Sequence, residues 1–163
     1  MIVIRYREAS YKIFDIITKH CPNVEKASID EAYVDLTDLV QERQRVMTQL
    51  THSDLSDSYI AGSYSLDKTA DNQRVNNLKA WLDPIGDIQS STSSDAWLAI
   101  GGLIVQEIRY DIFKTLGYHC SAGVGHNKTL AKLCCGINKP NKQTILPLSS
   151  HEELMAKTPI QKM

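Results

Sequence analysis

An α+β fold, with helices layered on a sheet of short strands, is what this sequence predicts, on three observations. Residues recur at helical spacing in two segments: Tyr6, Ala9, Ile13, Ile16, Ile17 and His20 in one, and Trp97, Gly101, Ile104, Val105, Ile108, Ile112 and Leu116 in the other. Short runs that read as strands lie between them and after them, at Lys26–Ile29, Ala32–Leu36, Tyr118–Val124 and Gln143–Leu146. Finally, 163 residues with 42% apolar and 23% charged composition are enough for one ordinary core and typical of a globular chain.

In order, Arg5 to His20 is expected as an amphipathic helix against the sheet, with Lys12 and Lys19 on its other faces, ended by Cys21-Pro22. Two strands follow, and Asp30-Glu31 sits at the hairpin tip between them. At a tip, neighbouring side chains need not diverge as they do along a strand, so the two acids are able to face one small volume. That arrangement suits Mg²⁺, which takes oxygen ligands, although an acid pair in a turn is by itself normally just a solvated tip. Asp35 lies too far along the second strand to join them and reads as structural.

Asp38 to Arg45 is expected as a short helix with Leu39 and Val46 inward. From Thr51 to Ser94 the composition turns to Ser, Asp, Asn and Gln, with Gly62, Pro84 and Gly86 as turn formers, which predicts a long, partly ordered surface insertion. Ser58–Gly62 and Leu78–Leu82 are its apolar anchors. Ser94-Asp95 then cap the longest helix, which Gly117 closes, and its role is a structural layer under the sheet. A strand to Val124 and a turn at Gly125-His126-Asn127 lead into a helix over Lys128 to Asn138. Leu130, Leu133, Cys134 and Ile137 share one face of it; Lys128 and Lys132 lie nearly opposite, as Lys139 would if the helix reached it. On spacing alone, a solvated helix face is the favoured reading of such lysines. Glu152 to Lys157 completes the chain as a short helix, giving a division into 1–50, a polar insertion at 51–94, and 95–163.

The net charge of −1 offers no global attraction to nucleic acid, so any DNA contact is local or lies outside this sequence. No apolar run is long enough to span a bilayer, no signal-peptide pattern opens the sequence, and no repeat is visible. Cys21, Cys120, Cys134 and Cys135 form no Cys-x-x-Cys pair and are expected to be reduced and mostly packed, in an intracellular protein. Gly125-His126-Asn127-Lys128-Thr129 lacks the P-loop spacing, and His126 reads as a turn residue rather than a base.

Two strings carry a more specific reading. Ser28-Ile29-Asp30-Glu31-Ala32-Tyr33-Val34-Asp35-Leu36 closely resembles the catalytic hairpin of the Y-family (translesion, UmuC-type) DNA polymerases. Asp35-Leu36-Thr37 and Tyr6-Arg7-Glu8-Ala9-Ser10 look most like the eta branch. The run from Cys120 through Leu133, continued by Gly136-Ile137-Asn138-Lys139-Pro140, is similar to that family's second diagnostic motif.

The resemblance implies most of a polymerase palm, an antiparallel sheet backed by helices, incomplete at its N-terminus and ending near the start of the thumb. By the same resemblance, Asp30 and Glu31 hold two Mg²⁺ ions with a third carboxylate that this chain lacks. Lys139 contacts the incoming triphosphate, Lys128 and Lys132 pack or touch the DNA backbone, and Ser28 meets either the primer end or a backbone group. Primer–template DNA and a deoxynucleoside triphosphate are then the partners, with a replication clamp engaged through C-terminal regions not present and no membrane. The family places such a protein in the nucleus, adding deoxynucleotides opposite damaged template, with this piece inactive alone. A truncated, non-catalytic palm acting as a binding or regulatory module is the alternative; a nucleotidyl cyclase is disfavoured by the Gly123 to Pro140 run.

Overall fold

The spine of the molecule is the helix Ser94–Leu116 (α4), and its ends follow from its sequence. Ser93 Oγ accepts the Asp95 backbone N–H, and Gly117 closes the helix in the left-handed region at φ 73°, returning its N–H to the Phe113 carbonyl. The computed structural model describes the backbone of residues 2–62 and 71–159, and the side chains of 5–62 and 72–159. The middle of the expected insertion, 63–70, and the last residues, 160–163, therefore lie outside the described residues.

α4 is buried on two faces, so it separates two layers. Ile100, Ile104, Ile108 and Ile112 pack with Ile16 and Ile17 of α1 (Ile2–His20) and Val40 of α2 (Thr37–Val46). Leu98 and Ala99 pack instead with Leu55, Ile60 and Ile145. α1 lies, as expected, against a strand pair, Val24 and Val34 packing on the cluster that holds Ile16 and Ile17, and it also rests on α4; Tyr6, expected on the packed face, is 67% exposed. Val46, expected inward, is 77% exposed, because the buried stripe of α2 centres on Val40 and Val46 is its final helical residue. Arg43 on α2 forks onto both carboxylate oxygens of Glu107 on α4 at 3.0 Å.

The class is α+β as expected, but the strands form two small sheets. β1 (Val24–Lys26) and β2 (Ala32–Val34) pair antiparallel, Glu25 opposite Tyr33. β3 (Ser58–Ile60), β4 (Ala122–Val124) and β5 (Gln143–Ile145) pair in parallel with β5 central, which corrects the expectation of one antiparallel sheet. Parallel pairing follows from connections that cross over through helices: α4 lies between β3 and β4, and α5 (Lys128–Cys135) between β4 and β5. A final short helix, α6, spans His151–Lys157.

The segment from Thr51 to Ser94, expected on the surface, supplies much of the second core. Besides β3 it contains α3 (Asp71–Leu82), whose Leu78, Trp81 and Leu82 are buried along with Leu55, while Ile88 joins the first core. The polar composition hid a helical i, i+3, i+4 spacing in those three residues. Buried polar atoms in β5 are satisfied: the Gln143 amide donates to Ser58 Oγ at 2.6 Å and to the Gly102 carbonyl at 2.8 Å.

Candidate active site

The hairpin tip is closed by its own backbone, with the N–H groups of Ala27 and Ser28 donating to the Glu31 carbonyl at 3.0 and 3.2 Å. Ser28 Oγ donates to Asp30 Oδ1 at 2.7 Å and accepts the Asp30 N–H at 3.3 Å, the local loop that Ser and Asp favour. Both acids are exposed. From one side α1 braces the tip: Ser10 Oγ donates to the Ile29 carbonyl, and the Lys26 ammonium lies over the rings of Tyr11 and Phe14 at 5.0 and 4.6 Å.

The basic face of α5 meets the hairpin from the other side. Lys132 Nζ lies 3.8 Å from Glu31 Oε2, and Lys128 pairs with Glu25 on β1 while sitting 5.7 Å over the Tyr33 ring. Glu25 and Glu31 are thus counter-charges of the two lysines, a pairing that the helical spacing of the basic face does not reveal. Lys139 lies beyond the end of α5, which stops at Cys135 rather than Asn138, in an exposed turn whose Lys139–Pro140 bond is cis.

α5 starts where Asn127 Oδ1 accepts the Leu130 N–H at 2.9 Å. Asn127→Ala removes that cap and is expected to cost about 1 kcal/mol of stability, read as a lowered urea midpoint with an unchanged slope. A midpoint equal to wild type would mean that the cap contributes nothing.

The titratable groups around the site fall into distinct environments. Asp35 Oδ1 accepts Thr37 Oγ1–H at 2.6 Å and the Thr37 N–H at 3.0 Å, and these bonds hold its carboxyl below the usual range. A depressed folded-state value means that Asp35 stabilises the fold above its unfolded pKa and loses that contribution as pH falls through the folded value. Asp35→Asn is therefore expected to flatten the acid limb of the stability–pH profile below about pH 4, and an unaltered limb would contradict it. His126 is held below its usual value by burial and then by His151, whose ring it meets edge-on at 5.2 Å.

Cys134 is pushed up to about 12 by burial and then by Cys135, and its thiol faces the Thr144 carbonyl at 3.4 Å. Burial also raises Cys135, where Lys139 opposes the shift and Glu31 adds to it. The charges of the hairpin tip and of Lys139 are thus both felt at one thiol. All four cysteines are free, as expected.

As a metal site, Asp30 and Glu31 offer hard oxygen donors open to solvent, which fits Mg²⁺ in kind. In number they are two, and among the described residues no three His, Cys, Asp or Glu side chains gather. A hollow of about 420 Å³ opens elsewhere, over Arg109, Tyr110, Phe113 and His119, and no hairpin residue lines it. No helix of the described residues is long and apolar enough to cross a membrane.

Residues 3–136 match the family model described as impB/mucB/samB. The chain belongs to the impB/mucB/samB family of Y-family polymerase domains. It is similar over 98% of its length to DNA polymerase eta of Drosophila melanogaster, at 33% identity and covering 19% of that protein. It is 35% identical over 97% of its length to DNA polymerase eta of Arabidopsis thaliana, covering 23% of it. To human DNA polymerase iota it is 35% identical over 93% of its length, covering 18%. The chain thus spans about a fifth of these impB/mucB/samB relatives.

Within this family member the structure also exposes a residue that the sequence pattern concealed. Arg109 lies in the apolar run of α4 yet is only 7% exposed, and its guanidinium is used by groups just before β4, on β5 and in the turn between α5 and β5. A charged residue at a core position of a helical stripe was the available signal, since burial of an unpaired cation is too costly to occur without partners.

Proposed function

We propose that this chain is the palm portion of a translesion DNA polymerase that joins deoxynucleotides to a primer end opposite damaged template, and that it is inactive by itself. The observation that carries the proposal is the approach of Lys132 to Glu31, which brings the acidic hairpin and the Gly123–Pro140 motif to one place. The names of the eta and iota relatives support the activity, and their eukaryotic sources support nuclear residence. Primer–template DNA and a deoxynucleoside triphosphate are the partners in this reading; a replication clamp would be engaged by other regions of the polymerase.

Asp30 and Glu31 are the residues that would hold Mg²⁺, which when bound neutralises triphosphate charge and lowers the pKa of the primer 3′-hydroxyl. Ser28 holds Asp30 by its hydroxyl and so fixes one donor before substrate arrives. Lys132 offsets the charge of Glu31, keeping two adjacent anions tolerable at one tip. Lys139 supplies a compact cation to the triphosphate oxygens, while Lys128, paired with Glu25, borders the DNA backbone.

The test is nucleotide affinity. In the polymerase chain carrying this segment, Lys139→Ala is expected to raise the KM for the incoming deoxynucleoside triphosphate about tenfold or more, the worth of one charge-assisted contact. An unchanged KM would contradict the assignment of Lys139.

A further inference from the structure

A buried arginine in an apolar helix needs an explanation, because its desolvation is repaid only where the guanidinium finds acceptors. Each of the three guanidinium nitrogens of Arg109 has one. Its Nε donates to the Cys120 carbonyl at 3.0 Å, Nη1 to Gln143 Oε1 at 3.3 Å, and Nη2 to Asn141 Oδ1 at 3.3 Å. Asp57 Oδ2 lies 3.6 Å from Nη1. These acceptors are not scattered: Cys120 precedes β4, Gln143 begins β5, and Asn141 is in the turn that carries Lys139.

That turn is fastened at both ends. Asn138 Nδ2 donates to Thr144 Oγ1 at 3.0 Å on the Lys139 side. Asn141, itself in the left-handed region at φ 50°, offers its side-chain oxygen to Arg109 on the other. Gln143 is tied further to Ser58 and to the Gly102 carbonyl of α4, so the guanidinium links the turn to the central helix and to the parallel sheet. An exposed lysine on a four-carbon stem delivers charge to a fixed place only if its backbone is fixed, and otherwise ordering the turn is a cost of binding.

We propose that Arg109 is a positioning residue for Lys139: its planar fork, through Asn141 and Gln143, holds the Asn138–Gln143 turn in the conformation that receives a triphosphate. The proposal rests on the reading of Lys139 as a triphosphate ligand. It goes beyond that reading by assigning a function to a side chain that does not touch substrate.

The experiment joins backbone hydrogen exchange over residues 139–143 with steady-state kinetics of the polymerase chain. Arg109→Met is the obvious variant, but it strands the buried Gln143 side-chain oxygen and the half-buried Cys120 carbonyl and leaves a core position without its cation, so the decisive variants are milder. Arg109→Lys keeps the charge and loses the fork; Asn141→Gly removes the acceptor without backbone strain; Asn141→Asp retains an acceptor. The first two are expected to speed exchange in the turn about tenfold, and to raise the triphosphate KM about fivefold with kcat nearly unchanged. Asn141→Asp is expected to resemble wild type.

Added to Lys139→Ala, Asn141→Gly should raise KM no further. Wild-type exchange in Arg109→Lys, or a full additional KM effect in the absence of Lys139, would overturn the proposal. Faster exchange in both variants, with Lys139→Ala itself leaving KM unchanged, would uphold the brace and overturn the nucleotide reading instead.

Discussion

Gly123→Ala is expected to destabilise the fold by about 3 kcal/mol, at the upper end of what overpacking costs. A methyl at this position on β4 would fall onto the Ala131 carbonyl oxygen and lie 2.6 Å from the Cys135 nitrogen and 2.8 Å from Cys134 Sγ. The first two are backbone atoms of α5, so no rotamer change relieves them; the helix must move off the strand. Moving α5 also draws Lys132 from Glu31 and Lys128 from Glu25, so the acidic tip loses its counter-charges as the core loosens. Gly136→Ala is the matched control, since the added methyl there meets only the Leu133 carbonyl at an ordinary 3.5 Å and the backbone is right-handed helical. Urea unfolding of the two variants should separate them clearly, with Gly136→Ala near wild type. Equal midpoints would show that β4 and α5 are not in the close contact described.

Asp30→Asn and Glu31→Gln are each expected to lower primer extension by the polymerase chain about a hundredfold or more, comparable to losing a principal electrostatic group of an active site. Both substitutions are close to isosteric and both positions are exposed, so stability should stay within about 0.5 kcal/mol of wild type. Asparagine still accepts the Ser28 hydroxyl at its carbonyl oxygen; what is lost at residue 30 is charge, not the turn. Asp35→Asn supplies the comparison: that carboxylate serves Thr37 at the start of α2 and should leave extension near wild type. If all three variants extended primers equally, the acidic pair would not be the ligand set.

The parts of this molecule that a sequence reveals are those fixed by local chemistry. α4 is bounded by a serine cap, Ser93, one residue before the expected Ser94-Asp95, and by the left-handed glycine that was legible, and the tip between β1 and β2 follows from strand alternation broken by two acids. What could not be read depends on residues distant in sequence. Leu78, Trp81 and Leu82 are legible as an apolar anchor, but not as one face of a helix that packs on Leu98 and Ala99 of α4, because their surroundings are polar enough to suggest a surface loop. Parallel pairing of β3, β5 and β4 is invisible in strands this short, since alternation says nothing of direction. The lysines of α5 showed their basic character in sequence, but not that Glu25 and Glu31 stand opposite them. Arg109 is hidden in the sequence because it sits among the apolar residues of a helical stripe, and its acceptors come from β5 and from the segments flanking β4 and β5.

Manganese, a paramagnetic stand-in for magnesium, tests whether the acidic tip and the α5 lysine motif make one nucleotide site. With substoichiometric Mn²⁺ and a deoxynucleoside triphosphate present, the backbone amide signals of Asp30, Glu31 and Lys132 should broaden before any others, and Asp30→Asn should abolish the effect. Broadening that began at Asp54 and Asp57, with the hairpin signals left sharp, would contradict it.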